Sequence, residues 1–158
     1  MLGQESHGVA VKVYSLYGAF FNEVAKELGE QKALALHRKA HELMGIATGR
    51  KLSEQMGDIK YDLKALAEIL RKSNVGIGID SQMAEGPSSL LLRNARCPMY
   101  DGYRMGGLGD EAAEALCQVG APAKLGSTLK ELNPNVSYRL THYRRNPTER
   151  CEEEIRLE

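Results

Sequence analysis

The chain has 158 residues, 42% of them hydrophobic and 27% charged, and its 21 basic and 21 acidic side chains cancel to a formal net charge of zero. That is enough chain for one domain with its own core, and too apolar a chain to be disordered. Charge balance argues against a broad phosphate-neutralising face for nucleic acid, and no apolar run approaches the length of a membrane-spanning helix.

The amino terminus lacks the basic start and apolar run of a secretory signal. With three widely spaced cysteines, Cys97, Cys117 and Cys151, reduced thiols in a cytoplasm are expected in preference to a disulfide framework. In chain order, Val9, Val13, Leu16, Tyr17, Phe20, Val24 and Leu28 recur at helical spacing and stop at Gly29. His7 precedes this run in what reads as a mobile terminus. Ala33, Leu36, Ala40, Met44 and Ala47 trace a second helix ending near Gly57. Asp58 is the expected cap of a third, carrying Ile59, Leu63, Leu66 and Leu70 and stopping around Asn74. Short separators imply antiparallel neighbours.

Beyond Asn74 the period changes. Val75, Ile77 and Ile79 alternate with Gly76, Gly78 and Asp80, which predicts a strand. Glu85-Gly86-Pro87 predicts a turn, Ser89 to Cys97 a second strand, and the glycines between Gly102 and Gly109 a loop. A helix follows from Asp110, its expected cap, to Val119, stopping at Gly120. Val136 to Tyr143 and Cys151 to Leu157 predict a terminal hairpin around Asn146-Pro147-Thr148. Helices followed by mainly antiparallel strands make an α+β fold, a single domain over residues 1–158 with its helical part at about 8–74 and its sheet part at about 75–158.

Alternation places Val136, Tyr138, Leu140 and His142 on one face of the hairpin, and Cys151, Glu153, Ile155 and Leu157 on one face of its second strand. Glu153 is a carboxylate in an apolar row. A bend of two or four residues pairs it with His142, beside Cys151, an acid–base arrangement next to a thiol. The alternative is Glu153 at a rim and His142 capping the core. His37 and His41, four apart on a helix, have a spacing that can hold a metal, but they lie at the border of the apolar stripe, where a surface role is expected. Three cysteines and a histidine suit zinc, yet the close cysteine pairs of structural zinc sites are missing. Gly106-Gly107-Leu108-Gly109 lacks the lysine and hydroxyl of a phosphate loop. Arg144 and Arg145 can hold a carboxylate or simply be solvated.

The ordered set of an arginine-bearing strand running into Cys97-Pro98-Met99-Tyr100, then Cys117 near a helix end, Leu132-Asn133-Pro134-Asn135 before a strand, and a closing Asn146-Pro147-Thr148-Glu149-Arg150-Cys151-Glu152 resembles the L-2-amino-thiazoline-4-carboxylic acid hydrolase family. The likeness runs from about the second helix onward, with a fainter one to vinyl-reductase-type domains that bind small apolar ligands. The resemblance implies an enzyme that opens a cyclic amidine to N-carbamoyl-cysteine. It implies His142 with Glu153 as base, Cys97, Cys117 or Cys151 as nucleophile or ligand set, and Arg96 or Arg144 on the substrate carboxylate. The competing expectations are a non-catalytic sensing domain lined by Tyr100, Tyr138 and Leu140, and a small protein whose cysteines hold zinc or iron. The expected partner is a small molecule, with no nucleic acid and no membrane, and an exposed sheet edge suggests a homo-oligomer.

Overall fold

The computed structural model describes residues 2–57, 61–86 and 88–158. Two long helices come first, α1 (Leu2–Leu28) and α2 (Glu30–Met56), followed by α3 (Leu63–Gly76). The strands are β1 (Ser81–Glu85), β2 (Ser89–Asn94), β3 (Val136–His142) and β4 (Cys151–Leu157). Between β2 and β3 lie α4 (Pro98–Met105), α5 (Asp110–Ala121), a π-helical turn over Pro122–Gly126 and α6 (Ser127–Leu132). The sheet is antiparallel throughout, in the order β1-β2-β4-β3. The α+β expectation therefore holds. None of the described helices is long and apolar enough to cross a membrane.

Glycine breaks the first two helices where expected, with positive φ at Gly29 and Gly57, a conformation glycine adopts without steric cost. The cap of α3 is Asp62, whose carboxylate accepts from the Ala65 N–H at 2.8 Å; Asp58, Ile59 and Pro87 lie outside the described residues. The strand expected at Val75–Ile79 is a helix exit instead. The Asn74 carbonyl accepts from both Ile77 and Ile79, and Gly78 turns at φ 83°. Apolar alternation arose here because Ile77 and Ile79 wrap back onto the core. His7 is buried, its Nδ1 donating to the Gly78 carbonyl at 3.1 Å and its Nε2 3.0 Å from the Asp101 carboxylate. It ties the start of α1 to α3 and α4. α5 begins after Gly109, so Asp110 is its first residue and no side-chain cap.

The core has three parts. Leu66, Ala67 and Leu70 of α3 pack with Leu129 of α6 on Leu90, Leu92, Val136 and Ile155 of the sheet; each such side chain contributes about 1.5–3 kcal/mol through burial. Phe21, Ala33, Tyr103, Leu108, Ala113 and Leu116 join α1, α2, α4 and α5. Between these lies a third cluster of Ile79, Cys97, Tyr100, Tyr143 and Cys151.

Most of the apolar stripes of α1 and α2 face outward, contrary to expectation; Tyr17, Val24 and Ala33 are the members that pack inward. Val9, Val13, Leu16 and Phe20 are 60% exposed or more, and Leu36 and Met44 are exposed too. α1 buries His7, Val11, Gly18 and Phe21; α2 buries Ala33, His37, Gly45 and Gly49. Small residues win because backbones touch there. A Cβ on Gly102 would sit 2.6 Å from the Tyr14 Cβ and 2.7 Å from the Val11 carbonyl oxygen, while one on Gly106 would strike the Ser15 carbonyl. Of the glycines read as a loop, Gly102 and Gly106 thus belong to α4 and its crossing with α1, while Gly107 and Gly109 lie in the link to α5. Gly49 meets Thr128 and Glu131 of α6 in the same way. Overpacking of this kind costs about 1–3 kcal/mol. Gly102→Ala is accordingly expected to lower the melting temperature by several degrees, while Gly8→Ala, with open space around it, leaves it unchanged or slightly raised in the same thermal scan.

Candidate active site

β4 lies between β2 and β3, and strand alternation directs Cys151, Glu153 and Ile155 into the protein. Across the β2 ladder, Asn94 stands opposite Cys151 and Leu92 opposite Glu153. Asn74, in the last turn of α3, donates its amide to the Glu153 carboxylate at 3.3 Å and to the Asn94 side-chain oxygen at 3.4 Å. Cys97 caps β2's exit and opens α4. Cys117 comes in from α5. All three thiols are free, and with Glu153, Asn74 and Asn94 they line one cavity of about 80 Å³. Tyr14, His41, Tyr103 and Lys124 complete parts of its wall.

Burial dominates the electrostatics. It pushes the Cys97 thiol up to about 12, partly offset by the Met99 and Tyr100 N–H groups at the start of α4. Cys117 is raised well above the usual thiol range, first by burial and then by Cys97 and Cys151. Both are neutral thiols at physiological pH. Cys151 has a different neighbour, the Arg144 N–H, which donates to its sulfur at 3.5 Å. Burial also lifts the Glu153 carboxyl above the ordinary carboxylate range, against the opposing pull of Asn74.

Arg144 is fully buried. Its guanidinium donates to the Asn94 backbone carbonyl and lies 5.5 Å from the Tyr100 ring centre, with Nε unpartnered. Among the described residues it forms no ion pair. Its charge favours the thiolate forms of Cys97 and Cys117. Arg144 does not itself line the cavity, so its charge reaches the site only through its neighbours Asn94, Cys97 and Cys151.

Not every expected residue joins this cavity. His142 is half exposed and stands opposite Glu152, because a bulge between Leu140 and His142 shifts the register and turns the imidazole outward. The intended pairing with Glu153 goes to Leu140 instead, and the bend spans residues 143–150. Its folding around Asn146, whose side chain accepts from the Thr148 and Glu149 N–H groups, produces that length. His142 lies 3.8 Å from Glu149. Arg96 is exposed. Tyr100 is buried beneath Arg144 and does not line the cavity; Tyr138 is buried next to Glu153 and lines a separate groove of about 510 Å³.

His37 is buried, contrary to the expected surface role. Its Nδ1 accepts from the Tyr17 hydroxyl at 2.6 Å and its Nε2 donates to the Leu116 carbonyl at 2.9 Å, so neither nitrogen is free for a metal. Burial lowers it to about 4. His41 donates Nδ1 to the His37 carbonyl at 3.0 Å, which leaves Nε2 as the unprotonated nitrogen of a cavity-lining ring. Among the described residues no three His, Cys, Asp or Glu side chains are placed to hold a metal ion; the zinc or iron arrangement of Cys97, Cys117 and Cys151 is not formed. Asn74 and Asn94 were missed in the sequence, and His41, weighed there with His37 as a metal ligand and expected at the surface, lines the cavity instead. Asn74 reads there only as a helix stop, and Asn94 as one polar residue in an apolar strand.

Because Glu153 holds its proton more tightly folded than unfolded, stability falls as pH rises from the unfolded carboxyl value (about 4.3) through the folded one. Glu153→Gln removes that dependence. Relative to wild type, the variant is expected to gain in melting temperature from pH 4 upward, levelling off above the folded pKa; a constant difference across that range would show the carboxyl to be unshifted.

The family model described as L-2-amino-thiazoline-4-carboxylic acid hydrolase matches residues 10–151, an interval that contains Cys97, Cys117, Cys151, Asn74, Asn94 and Arg144. A comparison with curated proteins gives no match. With its ordered cysteines and the extent of that match, the chain belongs to the L-2-amino-thiazoline-4-carboxylic acid hydrolase family.

Proposed function

We propose that the protein is a hydrolase that opens a small cyclic amidine of the thiazoline type, with Cys151 as nucleophile and Glu153 as the proton carrier. The observation that carries this reading is the convergence of a carboxyl of raised pKa and three thiols on one cavity. A carboxyl held above the ordinary carboxylate range is better able to accept and return a proton. Cys151 shares its strand face with Glu153, and the Arg144 N–H on its sulfur stabilises developing thiolate.

The chemistry balances with one water. Glu153 takes the Cys151 proton, and the sulfur attacks the amidine carbon. The bond from that carbon to the ring sulfur breaks, and Glu153 returns the proton to the departing sulfur. Water then attacks the enzyme-bound isothiourea, Glu153 takes its proton, and Cys151 leaves as the thiol. The product is an N-carbamoyl amino thiol. Asn74 orients Glu153, and Arg144, buried behind the cavity wall, favours negative charge on the thiols. Cys97 and Cys117, kept neutral by burial, serve as thiol donors in the wall. Free thiols of this kind belong in a reducing compartment such as the cytoplasm.

Ligand binding without turnover is the second reading, favoured by the neutral state of Cys97 and Cys117. Turnover of 2-aminothiazoline-4-carboxylate separates the two. Cys151→Ser and Glu153→Gln are each expected to cut ring opening by about 10²–10⁴-fold, with the melting profile retained. Intact-mass analysis of rapidly quenched wild type should show the enzyme-bound isothiourea. Undiminished ring opening in Cys151→Ser removes that thiol from the mechanism. Binding detected by thermal shift with no ring opening in wild type leaves a sensor.

A further inference from the structure

We propose that the outward face of α1 is an interface between two copies of this chain. Of the eleven large hydrophobic side chains most open to solvent, eight lie on α1 and α2: Val9, Val13, Leu16, Phe20, Leu28, Leu36, Leu43 and Met44. Leu16 is 74% exposed and Phe20 63%. At roughly 80 Å² apiece, the area equivalent to about 2 kcal/mol of transfer free energy, they present on the order of 600 Å² of apolar surface. That is the upper end of what the largest apolar patch of a typical monomer exposes, and patches of that size are often functional. A standard interface covers about 800 Å² per partner, a little over half of it apolar, so the area on offer meets what a stable dimer needs.

Spacing identifies the occupant. Val9, Val13, Leu16 and Phe20 are separated by four, three and four residues, the seam of a two-helix coiled coil. The opposite side of the same helix, with Val11, Gly18 and Phe21, is already committed to α4 and α2. A seam of this kind is self-complementary under two-fold symmetry. Antiparallel pairing sets Val9 against Phe20 and Val13 against Leu16 of the second copy. α2 follows from its contact with α1 through Tyr17, Phe21, His37 and His41, bringing Leu36, Leu43 and Met44 to the flank. A lipid surface fits less well, because α1 carries Lys12 and Lys26 against Glu5, Glu23 and Glu27 and so lacks a basic face for anionic headgroups. Unlike the pairing through a sheet edge suggested by the sequence, this interface leaves β1 and β3 open.

Sedimentation velocity of the full chain at micromolar concentration is expected to give twice the chain mass. Leu16→Glu and Phe20→Ser, both at solvent-exposed positions, should each weaken the dimer at least tenfold. A third readout does not depend on the stability of those variants: with Val13→Cys and Leu16→Cys combined, mild oxidation should produce a covalent dimer. Wild type sedimenting as a monomer at every concentration would overturn the proposal, as would a dimer undiminished in both charge and serine variants. A monomer that floats with phosphatidylserine-containing vesicles would also overturn it, in favour of a membrane.

Discussion

Close backbone contact at glycines decides where everything else can go. Gly102 and Gly106 bring α4 against Val11, Tyr14 and Ser15 of α1, Gly45 and Gly49 bring α2 against the π-helical turn and α6, and Gly120 sets α5 against His37. Those contacts leave no room for even a methyl group. α4 carries Cys97 at its start and α5 carries Cys117, so the glycine crossings fix how far each thiol stands from β4. Apolar burial against the sheet supplies most of the stabilisation, but it is not selective about distance. The glycines are.

Glu153 in the cavity wall and Arg144 behind it are buried ionisable groups that do not neutralise one another. Glu153 answers to Asn74, and Arg144 to a backbone carbonyl and the Tyr100 ring. Kept apart, Glu153 holds its proton more tightly than an exposed carboxylate does, and Arg144 keeps an uncompensated charge. This separation costs stability, as buried charge without a full partner does. Such local cost is common where a protein does chemistry.

Much of this was legible in the chain. The hairpin strands follow from strict alternation, and Glu153 stood out as the carboxylate in an apolar row. Helix breaks at Gly29 and Gly57 follow from glycine's freedom at positive φ. The faces of α1 and α2 were not legible, because periodicity finds the apolar side of a helix and assumes it is the buried one. Here glycine, alanine and histidine make the contacts. His142 was misplaced by one bulged residue in β3, a local irregularity with no compositional signal. Asn74 escaped notice because its partner lies 79 residues away, and His41 was expected at the surface because the cavity wall it joins is shared by several elements.

The strand order has a consequence for how the protein is made. β1 and β2 form a hairpin early, yet the inner ladder of β2 pairs with residues 151–156, more than fifty positions later. Closing so long a span is entropically slow and comes after local structure has formed. On the ribosome, β2 must wait with one edge open until β4 is synthesised and slots between it and β3. Cys151 and Glu153 arrive with that strand. The cavity that they line and the completed sheet therefore come into being in a single event.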